Sequence, residues 1–99
     1  MIETAWMAGL FEGEGNIQIE TWRTKLRLKM TDKDVVERFA KYANCGTVKF
    51  VPRQKPHWKD QWLWSVSKKA DVIRLLSDML PFFGERRALT TTTALTKLI

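Results

Sequence analysis

The 99 residues are enough for one domain with a core, and 44% hydrophobic and 11% aromatic residues exclude an intrinsically disordered chain. Seventeen Lys and Arg against eleven Asp and Glu give a formal net charge of +6, which is typical of proteins that bind polyanions. No apolar run approaches the roughly 18 residues of a membrane span, and the single cysteine, Cys45, excludes an intrachain disulfide and fits a reducing compartment.

The first predicted helix includes Ala5 to Gly13 and has two different faces. Apolar side chains that can fill a core lie on one side: Trp6, Met7, Leu10 and Phe11. Small residues recur at helical spacing on the other side: Ala5, Ala8, Gly9, Glu12 and Gly13. Because each glycine weakens a helix by about 1 kcal/mol relative to Ala, we expect another helix to approach this small face closely. Gly13 and Gly15 flank Glu14 where the pattern changes to a strand, so we expect its carboxylate to be displayed at the helix end.

Two runs of alternating polarity follow and predict a pair of strands joined by a turn at residues 22–24. The first run begins at Asn16 and the second ends at Met30. The inward positions are apolar: Ile17, Ile19, Leu26, Leu28 and Met30. The outward positions of the second run are all cationic: Lys25, Arg27 and Lys29. The pattern therefore predicts a half-buried hairpin with one basic face.

The middle of the chain repeats the order of one helix and two strands. A helix capped by Thr31 or Asp32 is predicted to end near Asn44. Strands are predicted at about 47–52 and 61–67, separated by a basic loop that is interrupted by prolines. Their inward positions are Val48, Phe50, Trp62, Trp64 and Val66.

Two helices are predicted to complete the domain. The first carries apolar residues at helical spacing between Val72 and Leu80, has Ser67 as its candidate cap and ends at Pro81. The second begins at Glu85, although four consecutive threonines, 90–93, disfavour a helix. The complete order predicts a single α+β domain over residues 1–99, with a four-stranded antiparallel sheet and helices on one of its faces.

The other face of this sheet is expected to bind double-stranded DNA. It mixes cations with uncharged hydrogen-bonding side chains, as the reading of base edges in a major groove requires. Its expected members are Gln18, Glu20, Trp22, Lys25, Arg27, Lys29, Thr47, Lys49, Arg53, Gln61 and Ser65. A membrane-binding face needs more apolar residues among its cations, so DNA is favoured over a membrane.

The run Met7–Gly15 reads Met-Ala-Gly-Leu-Phe-Glu-Gly-Glu-Gly and resembles the signature of the LAGLIDADG homing endonucleases. Four residues match letter for letter, namely Ala8, Gly9, Leu10 and Gly15, and glutamates stand at both acidic positions. The predicted order αββαββα plus a C-terminal helix is also that of a LAGLIDADG domain, so the resemblance extends over essentially the whole chain. It implies a site-specific, metal-dependent endonuclease that makes a double-strand break in a long DNA target.

The resemblance also implies the roles of individual residues. Glu14 takes the position of the metal-binding acid, and the backbone carbonyl of Gly13 is a further contact to Mg²⁺ or Mn²⁺. Asp32 stands roughly where related enzymes place a polar residue, often Gln, near the water network, with helix capping as the alternative. Arg86 is the best match for the basic residue that approaches the scissile phosphate, and Arg87 is the neighbour that a shift of one position would select. Glu12 is expected to cap or bridge at the helix interface rather than to bind metal.

One copy of the motif implies a homodimer in which the two small helix faces, Ala5, Ala8, Gly9, Glu12 and Gly13, pack together over a near-palindromic target. An intracellular location with DNA is then expected, in a bacterial or phage-infected cytoplasm or an organelle. One alternative keeps the fold without the chemistry, as a DNA-binding protein or an RNA maturase that assists intron splicing. Another is a basic RNA-binding module, but such modules stack bases on aromatic residues of an open sheet. Here Trp62 and Trp64 have the inward phase.

Overall fold

A computed structural model describes residues 2–99 and confirms the predicted order of elements. The helices are α1 (Ile2–Glu14), α2 (Lys33–Ala43), α3 (Lys69–Met79) and α4 (Glu85–Leu98), with a 3-10 turn (Leu80–Phe82) between the last two. The strands are β1 (Gly15–Ile19), β2 (Thr24–Met30), β3 (Thr47–Val51) and β4 (Gln61–Val66). They form one antiparallel sheet in the order β1-β2-β4-β3. No helix within residues 2–99 has both the length and the apolar character needed to cross a membrane.

The core lies between the inner face of the sheet and the helices. Pairing of Leu26 with Val66 and of Leu28 with Trp64 places four buried apolar side chains side by side on the two central strands. The Trp64 ring meets Phe39 of α2 edge-on at 4.8 Å between centroids. The predicted strand phases and the α+β class with helices on one face are therefore confirmed, because alternation along a strand assigns each side chain to one face of the sheet. Val48 and Phe50 of the edge strand β3 share the face of Trp64 and Trp62 but are 38% and 51% exposed rather than buried.

The first hairpin turn and the start of α3 differ from the predicted positions, and the predicted side-chain cap of α2 by Asp32 is absent. The backbone N–H of Glu20 donates to the carbonyl of Arg23 (2.9 Å), so the first hairpin turns at residues 20–23 and Thr24 already belongs to β2. Lys68 rather than Ser67 takes the N-cap position of α3. Asp32 occupies the N-cap position of α2, but its side chain makes no capping hydrogen bond there. The predicted helix begins as expected, yet the proposed capping interaction is absent.

The threonine-rich stretch of α4 is helical despite its β-branched residues. Hydroxyl groups of three threonines donate to the carbonyl four residues earlier: Thr90 to Arg86 (3.2 Å), Thr93 to Leu89 (3.0 Å) and Thr96 to Thr92 (2.8 Å). Thr91 and Ala94 are fully buried on the core side. Packing of this side outweighs a propensity cost of a few tenths of a kcal/mol per residue, which is the common outcome when tertiary context opposes propensity.

Gly46 is held between α2 and β3 in a conformation that excludes a side chain. Its φ is +81°, and an added Cβ would lie 2.6 Å from both the Ser65 carbonyl oxygen and Trp64 Nε1. We expect Gly46→Ala to lower the free energy of unfolding by about 2 kcal/mol or more, measured by urea denaturation. Asn44 also has positive φ, 55°, and provides the control, since Asn44→Gly relieves backbone strain there. Equal stability of the two variants would contradict this account.

Candidate functional site

The candidate site lies where α1 passes directly into β1. Glu14 is the last residue of the helix and Gly15 is the first of the strand, so no loop separates them. A Cβ at Gly15 would lie 2.4 Å from the ring of Phe11, which is fully buried. A residue with a side chain would clash with the Phe11 ring, so only glycine fits at the start of β1. This close packing fixes the corner at which the Glu14 side chain is exposed.

The Glu14 carboxylate is available to a ligand, but one chain does not complete a metal site. Within residues 2–99 it forms no ion pair. The same part of the chain contains no group of three or more His, Cys, Asp or Glu side chains that could hold a metal ion. A carboxylate and backbone carbonyls are the oxygen donors that Mg²⁺ prefers. The donor type therefore fits, and a metal ion bound here would need further ligands from another copy of the chain, from a phosphate or from water.

Glu12 is directed into its own chain. Its carboxylate accepts hydrogen bonds from the backbone N–H of Gly84 (2.7 Å) and from Arg87 Nε (3.3 Å). Arg87 Nη2 in turn donates to the backbone carbonyls of Glu12 (3.1 Å) and Gly15 (3.0 Å). The bridge made by Glu12 thus joins α1 to the start of α4 within one chain, whereas the sequence interpretation had placed it between two chains.

Arg86 and Arg87 are neighbours with different surroundings. The Arg87 side chain is only 15% exposed because it is held in these contacts. Both arginines line an open cleft of about 300 Å³ together with Gly15, Asn16, Ile17 and Thr90. Arg86 is exposed there, whereas Arg87 is engaged with Glu12 and Gly15, so Arg86 has the more accessible guanidinium.

Asp32 lies at the same end of the sheet as Glu14. Gly15 pairs with Leu28 in the antiparallel hairpin, so β2 ends beside the start of β1. Asp32 follows that end after Thr31 and is exposed. The pairing register therefore places Asp32 and Glu14 at the same end of the hairpin, and Arg86 lines the cleft beside Gly15.

The open face of the sheet contains most of the predicted DNA-binding residues. The cross-strand register places the following side chains on it: Gln18, Lys25, Arg27, Lys29, Thr47, Lys49, Gln61 and Ser65. Asn16, which pairs with Arg27, shares this face and was missed, although strand alternation backwards from Gln18 would have found it. Arg27 is half-buried, and its Nε is buried without a hydrogen-bond partner among the described residues.

Three residues predicted for this face lie in connections instead. β1 ends just before Glu20, which pairs with Arg23 in the hairpin turn (3.2 Å), and Trp22 stands at this turn with 95% of its surface exposed. Arg53 follows β3, and its backbone N–H (3.0 Å) and Nε (3.3 Å) both donate to Asp60. The backbone N–H of Arg53, followed by its guanidinium, lowers the pKa of the Asp60 carboxyl. These contacts engage Arg53 within its own loop.

The exposed side of α1 is a stripe of small residues with one larger residue at its start: Ile2, Ala5, Gly9 and Gly13. A Cβ added at Gly9 or Gly13 would find no atom of the chain within 4 Å. The prediction that Ala8 lies on this surface is wrong, because Ala8 is fully buried in the core. Ile2, 87% exposed, was missed, although its spacing of seven residues from Gly9 placed it on the same side.

Comparison with known proteins found a curated relative of part of this chain. The chain is 30% identical over 83 residues to a probable intron-encoded endonuclease aI3 of Dictyostelium citrinum, covering 76% of this chain and 33% of the relative. The chain thus spans about one third of the length of this curated relative. No protein-family model matches it.

Two solved structures share the fold at low sequence identity. The homing endonuclease I-CvuI, in complex with its target, superposes with a TM-score of 0.76 and 18% identity over 98% of this chain and 66% of that chain. The LAGLIDADG meganuclease I-CpaMI, bound to uncleaved DNA, gives a TM-score of 0.70 and 12% identity over 96% of this chain and 35% of that one. With the Met7–Gly15 run at the end of its first helix, this chain has the fold of the LAGLIDADG homing endonucleases.

Proposed function

We propose that this chain is a site-specific DNA endonuclease that requires a divalent metal ion and works as a homodimer. The observation that carries the proposal is the Glu14 carboxylate, exposed at the end of a helix whose Gly9 and Gly13 face open space. Two copies packed along these glycines bring two such carboxylates together at the two-fold axis. The curated relative is named as an intron-encoded endonuclease, and the homing endonucleases of the same fold are described with DNA, which supports this substrate.

The length of the basic sheet face supports a model in which one copy of the chain binds half of a DNA target. The seven residues of β2 span about 24 Å, which is less than the roughly 34 Å of one duplex turn. One copy therefore reads half of a target, and a symmetric pair requires a near-palindromic site about two turns long. The cations of the face contact phosphates, while Asn16, Gln18 and Gln61 are suited to base edges.

The residues at the corner take distinct roles in this proposal. Glu14 and the carbonyl of Gly13 hold Mg²⁺ or Mn²⁺, and a bound ion supplies Lewis acidity at the phosphate and lowers the pKa of its water. Arg86 stabilises charge on the scissile phosphate, because an arginine keeps its proton and is a poor general base. Asp32, whose carboxylate makes no capping hydrogen bond, accepts a hydrogen bond from the attacking water.

Cleavage of a randomised plasmid library in Mg²⁺ tests this function. We expect double-strand breaks at one near-palindromic sequence, which identifies the activity and the target together. Specific binding without cutting in either Mg²⁺ or Mn²⁺ would instead support the DNA-binding or maturase alternative.

Salt dependence provides a separate test of the DNA-binding face. If about six cations of the dimer contact phosphates, log K for DNA binding should fall against log[salt] with a slope of about −5, measured by fluorescence anisotropy. Lys49→Gln removes two cations per dimer and should make the slope less steep by about 2. Lys41→Gln, on the exposed side of α2, is the matched control and should leave the slope unchanged. A flat response of the natural chain would contradict the assignment of this face.

A further inference from the structure

We infer that Arg87 is a positioning residue that holds the Gly13–Glu14 corner in place through its reciprocal contacts with Glu12. This inference rests on the proposed role of that corner in metal binding. The last carbonyls of a helix have no partner within the helix and need one from elsewhere. Arg87 Nη2 donates to the carbonyl of Glu12 (3.1 Å) and to that of Gly15 (3.0 Å). These two carbonyls stand immediately before and immediately after the two residues proposed to bind the metal.

The Glu12 carboxylate completes what we call the Glu12–Arg87 clamp. It accepts from Arg87 Nε (3.3 Å) and from the backbone N–H of Gly84 at the start of α4 (2.7 Å). A Cβ on Gly84 would lie only 2.9 Å from Glu12 Oε1, so a glycine leaves room for this approach. The Arg87 guanidinium carbon also lies 5.4 Å from the ring centroid of Phe11, the side chain that requires Gly15. The clamp thus joins α1, β1 and α4 around the corner.

Besides the helix itself and the packing of Gly15 against Phe11, the two residues proposed to bind the metal supply little restraint of their own. Gly13 carries no side chain, and a Cβ there would touch nothing within 4 Å. Glu14 is exposed and forms no ion pair within residues 2–99. Glycine backbone is the most free to change conformation, so a fixed direction for the Gly13 carbonyl needs a restraint from neighbouring atoms. Arg87 provides that restraint from both sides.

The test compares Arg87→Gln with a matched arginine elsewhere. Arg74 Nη2 donates to the carbonyl of Ala43, the last residue of α2 (2.8 Å), so Arg74→Gln removes a similar contact at another helix end. For each variant we would measure thermal stability, amide hydrogen exchange at residues 13–16, Mn²⁺ titration of the DNA-bound protein, and DNA affinity. We expect Arg87→Gln to speed exchange at the corner and to raise the Mn²⁺ concentration at half-saturation about tenfold, the lower end for loss of a group that orients a metal ligand. DNA affinity should change less than twofold.

The other variants separate positioning from simple support of the fold. Arg74→Gln should lower the melting temperature without changing exchange at the corner or the Mn²⁺ titration. Arg87→Lys keeps the charge but loses the planar fork, so it should restore only part of the metal affinity. Glu12→Gln combined with Arg87→Gln should weaken Mn²⁺ binding little more than Arg87→Gln alone, because both act through one clamp. If Arg87→Gln does not fold, Arg87→Lys and Glu12→Gln provide the comparison.

The readouts also distinguish failure of the clamp from failure of the proposed function. Unchanged corner exchange and an unchanged Mn²⁺ titration in a folded Arg87 variant would overturn the inference. A natural chain that neither binds Mn²⁺ with DNA nor cuts its target would overturn the proposed function. In that second case faster exchange at residues 13–16 in the Arg87 variants would still support the clamp as the restraint on this corner, and unchanged exchange would overturn it.

Discussion

Glu14→Gln is expected to abolish double-strand cutting while leaving target binding intact. The substitution keeps the size of the side chain but removes the negative charge that would hold the cation, and the proposed homodimer would carry the change in both copies of the chain. We expect cleavage of the target plasmid in Mg²⁺ to fall at least about 100-fold, which corresponds to losing a principal metal contact. The DNA dissociation constant, measured in Ca²⁺ or without metal, should change less than about threefold because Glu14 lies outside the open sheet face.

Glu37→Gln provides the control for this result. Glu37 is an exposed acid on α2, so the variant has the same change in net charge as Glu14→Gln but does not touch the corner. It should cut at the natural rate. Equal cutting by the Glu14 and Glu37 variants would contradict the assignment of Glu14 as a metal ligand. Loss of DNA binding in Glu14→Gln would show that the residue has a different role from the one proposed.

Gly9→Leu is expected to convert the proposed dimer into a folded monomer. Inside one chain, the new side chain meets open space and replaces a poor helix former, so the monomer should be as stable as before or up to about 1 kcal/mol more stable. Between two chains, the same side chain separates helices that approach closely at their glycines. Sedimentation velocity at micromolar concentration measures the mass, and circular dichroism measures the fold. Cutting should be lost together with the dimer.

The exposed Ala70 of α3 serves for comparison, because Ala70→Leu adds an equally bulky side chain to another exposed helix surface. That variant should remain dimeric and active. A natural chain that is monomeric with and without DNA would exclude the paired-site proposal. A Gly9→Leu protein that stays dimeric would show that the partner surface lies elsewhere.

Local patterns predicted most of the fold because the two regular periods are visible in a single sequence. Alternation from Lys25 to Met30 assigned these six side chains of β2 to their correct faces, and the same rule turned Trp62 and Trp64 inward. Local patterns were less accurate at the ends of elements. The first hairpin turns two residues earlier than predicted, which moved Glu20 and Trp22 off the sheet face. Backbone hydrogen bonds determine where a strand ends and a turn begins. The polarity of the side chains indicates these positions only indirectly.

By itself, the sequence determined the α+β order, the basic sheet face and the placement of Glu14 at a helix end, since each follows from neighbouring residues. Tertiary structure alone decided which small residues of α1 are covered by other elements, burying Ala8 and leaving Gly9 and Gly13 open. It also decided the partners of Glu12, which lie 72 and 75 residues away in Gly84 and Arg87. The physical reason is that periodicity reports the direction of a side chain from its own element. It does not report which distant element packs against that side chain. This packing leaves the Arg86 side chain exposed and holds the Arg87 guanidinium in hydrogen bonds with Glu12 and Gly15.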